Sequence, residues 1–116
     1  MDTDGKYIGW INYETWAVKL WLDNDEGTYR FWQKNADRAW ADSEDDDNVE
    51  RGLWTREQAA AYALAKILKE AHENDTPTAV NGTVYADLLQ AALDSVNWDE
   101  IAASLIEDAD KSDDES

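Results

Sequence analysis

Cysteine is absent from these 116 residues, which excludes disulfides, zinc–thiolate sites, iron–sulfur clusters and thiol nucleophiles. Proline, phenylalanine and histidine occur once each, and the five glycines are scattered, so there is no glycine-rich phosphate loop. Bases are scarce: ten Lys and Arg against 27 Asp and Glu leave a net charge of −17 and a pI near 4.1. Such a chain is repelled by bare nucleic acid and by anionic membrane surfaces. No apolar run approaches the roughly 18 residues needed to span a bilayer, and the acidic N-terminus lacks a signal peptide's basic start. A cytoplasmic protein is therefore expected. What is plentiful is apolar side chain, 43% of the total, enough for one ordinary core.

The charge is uneven. Residues 1–42 carry eight acids and five bases, 43–58 six and two, 59–83 three and two, and 84–116 ten and one. Two dense runs stand out, Asp42-Ser43-Glu44-Asp45-Asp46-Asp47 and the segment from Glu107 to Ser116. Like-charge blocks repel themselves and serve either as solvated surface or as interaction loops and tails. Seventeen acids are Asp and ten are Glu, although Glu is the better helix former. Matching of phosphate-like charge and adaptation to high salt both predict this composition.

Apolar spacing predicts an all-α domain of four to five helices over residues 1–107, followed by an acidic, disordered tail at 108–116. Asn12 is a good N-cap for a first helix from Tyr13 to Leu22, with Trp16, Leu20 and Trp21 inward. The run Asp23 to Gly27 should break it, Asn24 or Gly27 taking a left-handed conformation. A second helix over 28–41 carries a stripe of Tyr29, Trp32, Ala36 and Trp40, and an acidic loop follows from Asp42 to Glu50. Thr55 and Gln58 form a capping box that opens a third helix reaching Asn74, burying Ala60, Ala63, Leu64, Ile67, Leu68 and Ala71. A fourth runs from Thr83 to Ser95 with Tyr85, Leu88, Leu89, Ala92 and Val96 inward. Asn97 and Glu100 suggest another capping box, and Val96 with Ile101 a hydrophobic staple, for a fifth helix carrying Trp98, Ile101, Ala102, Leu105 and Ile106. Residues 7–11 alone have a pattern that could run extended.

Seven tryptophans in a small domain read first as core, because few residues must bury much apolar surface. Trp16, Trp21, Trp32 and Trp98 fit that role. Trp40 or Trp54, beside the acidic loop, are the candidates for an exposed partner anchor.

The run Gly9-Trp10-Ile11-Asn12-Tyr13-Glu14-Thr15-Trp16-Ala17-Val18-Lys19-Leu20-Trp21-Leu22-Asp23-Asn24-Asp25 resembles the N-Y-E-T-W…L-W-L-x-N signature of a family of small uncharacterised prokaryotic proteins. Members are often encoded by phages, plasmids and integrated elements. The resemblance implies a mobile-element origin and no particular reaction. Its residues Asn12, Tyr13, Glu14, Thr15, Trp16, Leu20, Trp21 and Leu22 read as mainly structural, a capped and packed helix. In size, acidity and helical content the chain is also similar to phage-encoded DNA-mimic inhibitors of restriction enzymes, without a shared motif.

Catalytic and cofactor signals are lacking. His72 stands alone on a helix and is expected at the surface. No serine sits in a Gly-x-Ser-x-Gly setting. Asp23-Asn24-Asp25-Glu26-Gly27 misplaces the glycine of a calcium loop. No catalytic, cofactor or metal residue is assigned, and a non-enzymatic binding protein is expected. Its partner would be a protein with a basic nucleic-acid-binding groove, met by Asp42, Glu44, Asp45, Asp46, Asp47 and Glu50, with Asp94, Asp99, Glu107, Asp108 and Asp110 as a second group. Duplex DNA carries one charge per about 1.7 Å, so this net charge equals roughly eight base pairs, and a symmetric homodimer would double it. The alternative is a halophilic or housekeeping interaction domain whose acids serve hydration.

Overall fold

The computed structural model describes residues 9–75, 78–109 and 111. The fold is all-α: the described residues form six α-helices and no strand. They are α1 (Tyr13–Asn24), α2 (Glu26–Ser43), α3 (Asp47–Glu50), α4 (Arg56–Asn74), α5 (Val84–Ser95) and α6 (Trp98–Glu107), with a 3-10 turn at Thr78–Val80. The expected break between the first two helices shrinks to one residue. Asp25 ends α1 and caps α2, its Oδ1 accepting from Thr28 N–H at 2.9 Å, while Gly27 lies inside α2. A side-chain cap satisfies an otherwise orphan donor, and this outweighs the helix-breaking tendency of a single glycine.

The core is a layer of α2, α4 and α6. Trp32, Ala36, Ala39 and Trp40 come from α2, Ala60, Leu64, Ala65 and Leu68 from α4, and Trp98, Ile101, Ala102, Leu105 and Ile106 from α6. Ala36, Ala60 and Ala102 are fully enclosed, and small residues at the crossings let the axes approach closely. On α4 the buried row is 60–64–68, with Ala65 buried and Ala61 half-buried beside it, so the expected Ala63 and Ile67 turn outward. The capping box at Thr55 and Gln58 is present, each side chain bonding the other's backbone N–H.

α1 is anchored on this layer by polar bonds at its start. Asn12 Oδ1 accepts from Thr15 N–H (2.9 Å) and from Thr15 Oγ1–H (2.7 Å), and Asn12 Nδ2 donates to the Ser95 carbonyl (2.7 Å). Thr15 Oγ1 in turn accepts from Asn97 N–H at 2.8 Å. Glu100 does not reach back to Asn97 as a capping box requires; its Oε1 accepts from Ile11 N–H at 3.1 Å instead. Val96 and Ile101, the expected staple, both enter the core. Residues 7 and 8 of the expected extended stretch lie outside the described residues; Gly9 has φ +88° and Trp10 packs on the core.

This clamp turns Thr15 inward, and Val18 and Leu22 follow at helical spacing of three and four. Trp21 therefore faces solvent, 71% exposed, with Leu20 beside it, and Trp16 is only half-buried. α5 likewise departs from expectation. It packs against α1 and the 3-10 turn, outside the main layer, so Tyr85 and Leu88 are exposed and only Val96 just beyond it is buried. Trp40, expected as an exposed anchor, is 2% exposed, and Trp54 is half-buried with its ring edge on Tyr62.

Thr15 is wholly buried, so replacing its hydroxyl by a methyl orphans the Asn97 N–H at a cost of about 2–3 kcal/mol. Thr15→Val should lower the thermal midpoint by about 4 °C per kcal/mol, well below Thr15→Ser, which keeps the hydroxyl. Equal midpoints for the two variants would remove the bond from this role.

Candidate functional site

The acidic segment after α2 is folded rather than a solvated loop. α2 continues through Ser43, and Glu44, Asp45 and Asp46 N–H groups bond back to the carbonyls of Ala41, Asp42 and Ser43. Asp46 then caps α3, its Oδ1 accepting from Asn48 N–H (2.8 Å) and Val49 N–H (3.3 Å). Gly52, at φ +75°, turns the chain back, with Leu53 and Trp54 N–H on the Asn48 carbonyl. The outcome is a firm turn on which Asp42, Glu44, Asp45, Asp47 and Glu50 are exposed and Asp46 is half-buried.

Arg56 holds this turn to the bundle. Its Nη2 donates to the Trp40 carbonyl (2.6 Å), its Nε to Ser43 Oγ (3.0 Å), and its guanidinium carbon lies 4.2 Å from the Trp40 ring centroid. α2 has no base in its last turn, and a cation at a helix C-terminus is favourable; Arg56 from the first turn of α4 supplies one. One basic residue near the acidic surface is thereby committed to structure. Another, Arg51, pairs with Asp47 at 3.4 Å, both largely exposed, and such pairs are worth little.

The second acidic group is divided. α6 runs antiparallel to α4: the Trp98 ring is 5.1 Å from His72 near the end of α4, and past the other end of α6 Lys111 Nζ lies 4.9 Å from the Trp40 ring. Glu107 and Asp108 thus come alongside α2, level with Gln33 and ten residues before Ser43. The Asp108 carbonyl accepts from Gln33 Nε2 at 3.3 Å. Asp94, at the end of α5, accepts from Gln90 Nε2 (2.9 Å), and Asp99, in the first turn of α6, lines a cavity with Trp54, Gln58 and Tyr62. Asp110 and residues 112–116 of the expected tail lie outside the described residues; Ala109 packs on the core.

His72 is not a free surface histidine. It is half-buried between Trp98 and Trp32, whose ring is 6.0 Å away and nearly parallel. Its Nδ1–H donates to the Leu68 carbonyl at 2.8 Å. Among the described residues no group of His, Asp and Glu is arranged to hold a metal ion, and no helix is long and apolar enough to cross a membrane.

Residues 3–51 match a family of unknown function (DUF7249). The chain is similar to it from before α1 through α3, the stretch that carries the N-Y-E-T-W signature, which bears out the resemblance to an uncharacterised family. Neither the search of curated proteins nor that of solved structures gives a match. The signature's Asn12 and Thr15 bond to Ser95 and Asn97, beyond the matched residues. Sequence reasoning gave Asn12 a local capping role and Thr15 a structural one; a bond across more than 80 positions leaves no local signal.

The role of Arg56 depends on its forked donors. Arg56→Lys keeps the charge but loses the simultaneous bonds to Trp40 and Ser43, and should cost about 1–2 kcal/mol, read as a lower urea midpoint. An unchanged midpoint would mean that charge alone suffices.

Proposed function

We propose that this is a non-enzymatic, cytoplasmic acidic binding protein that occupies the basic nucleic-acid-binding groove of a partner protein, its carboxylates standing in for phosphates. A restriction enzyme or other defence protein targeted by a mobile element is the partner class that suits this reading. The observation that carries it is the exposed turn of Asp42, Glu44, Asp45, Asp47 and Glu50. Asp42 and Glu44 lie at the C-terminus of α2, which has no base in its own last turn and where the helix dipole disfavours negative charge by about 0.3–1 kcal/mol each, whereas Asp47 and Glu50 lie in the first turn of α3. Helix stability therefore does not explain the placement of Asp42 and Glu44. The Asp46 cap and the Arg56 bonds support the reading further, because a preformed surface loses less freedom on binding.

A second reading, hydration of a halophilic or housekeeping interaction domain, is favoured by Asp94 and Asp99, exposed acids that lie outside the 42–50 turn. The ion pairs among described residues, Lys19–Asp23, Arg30–Glu26 and Arg51–Asp47, are all local, so most acids interact with solvent. The two readings part at low salt: a halophilic domain loses structure near 0.1 M as screening falls, whereas a mimic from an ordinary cell stays folded.

The decisive variant reverses Asp42, Asp45 and Asp47 to Lys and spares the Asp46 cap. Immobilised wild-type protein should retain a DNA-binding protein from host lysate at about 0.1 M salt and release it to raised salt or to duplex DNA. The variant should retain none while unfolding at a urea midpoint within about 0.5 kcal/mol of wild type. Undiminished retention by the variant would remove this turn from the interface.

A further inference from the structure

At the start of α2, two cavities between α1, α2 and the last turn of α4 share Leu22, Thr28 and His72 and so form one open groove, about 570 Å³ in its larger part and about 330 Å³ in its smaller. Trp21 lines one part and Phe31 the other, 71% and 57% exposed. All seven tryptophans are described, and Trp21 is the exposed one; Phe31 is the chain's single phenylalanine. The clamp that orients α1 buries Thr15 and Leu22 and leaves Trp21 in water, and Phe31 keeps only an edge contact with Trp32 at 5.0 Å. Solvated aromatics beside a cavity are the usual anchors of an interface.

The lining also selects by charge. Asp25 and Asp75 line the larger part, and no Lys or Arg lines either part among the described residues. An aromatic face attracts a cation, and so do two carboxylates, while an acidic segment is repelled by them and by the net charge of −17. We infer that this groove takes a short basic and apolar segment of a protein partner, its arginine or lysine drawn to Asp25 and Asp75 and its apolar neighbours resting on Trp21 and Phe31. The inference rests on the proposed function only for the basic nature of the partner. The site itself is separate, at the opposite end of α2 from the acidic turn.

His72, the only histidine, lines both parts of the groove, so its Cε1–H resonance is a unique reporter in the full-length chain. Titration with Ac-Leu-Arg-Leu-Arg-NH2 should move it saturably, with binding at least about tenfold tighter than to Ac-Leu-Gln-Leu-Gln-NH2. Trp21→Ala should weaken the arginine peptide about tenfold without changing the thermal midpoint, and Asp75→Asn should narrow the preference for arginine over glutamine. Reversal of Asp42, Asp45 and Asp47 should leave this affinity within about twofold, because those charges lie beyond a Debye length. Equal binding of the two peptides, no saturable shift, or indifference to Trp21→Ala would each overturn the groove. Loss of peptide binding on reversing the distant turn, with Trp21→Ala silent, would also overturn it while leaving the proposed acidic surface intact.

Discussion

One buried hydroxyl sets the orientation of the N-terminal third of this domain. Thr15 Oγ1 accepts from Asn97 N–H and donates to Asn12, and Asn12 reaches the Ser95 carbonyl. Three chain segments, the start of α1, the end of α5 and the start of α6, therefore share one small network with its donors and acceptors paired. A buried polar network of this kind specifies a unique arrangement, because any slip leaves groups without partners in a low-dielectric setting. Rotation of α1 by a single residue, about 100°, would bring Trp16 or Trp21 inward and break the network. Apolar content alone would favour that rotation. The polar bonds win, and the exposure of Trp21 is their consequence.

The second constraint is charge scarcity of one sign. With ten bases available, each structural use of one is visible. Arg56 is spent on the C-terminus of α2 and the face of Trp40, and Lys111 lies by the same ring. Lys19 and Arg30 serve their own helices through partners four residues away. The acids of the 42–50 turn gain one weak ion pair, from Arg51, and their order comes from backbone bonds, the Asp46 cap and the bonds of Arg56 to Trp40 and Ser43. Ordering without neutralisation keeps the negative field of the turn while removing its disorder.

Local signals account for every helix of the described residues except α3, which falls in the expected acidic loop. The caps at Asn12, Thr55, Thr83 and Asn97 lie where side-chain chemistry places them, and α4, α5 and α6 begin within a residue of expectation. Faces were less legible, for a physical reason. Periodicity reports which residues are apolar, and in α1 and α5 apolar residues occupy two sides; only tertiary bonds decide which side is buried. Trp40 and Trp21 exchanged roles on this ground. The acidic run was legible as a candidate surface, but its rigidity was not, since it depends on Arg56 thirteen residues beyond Ser43. The groove beside His72 was invisible, being assembled from helices about 50 residues apart in sequence.

Dimensions connect the two ends of the molecule. At one phosphate per about 1.7 Å, the net charge of −17 equals about 29 Å of duplex, and α2, at 18 residues, is about 27 Å long. Asp25 and Glu26 mark one end of that rod and the 42–50 turn the other. On the proposed reading, a partner groove shaped for about eight base pairs spans both the acidic turn and the aromatic groove in one footprint. The two would then divide the work of recognition. Long-range attraction to the turn raises the rate of encounter with any basic surface but discriminates poorly among them. Burial of Trp21 and Phe31 acts only after contact and so lengthens the lifetime of a complex whose side chains fit. An acidic surface without the aromatic groove would be a polyanion; the groove is what could make it choose.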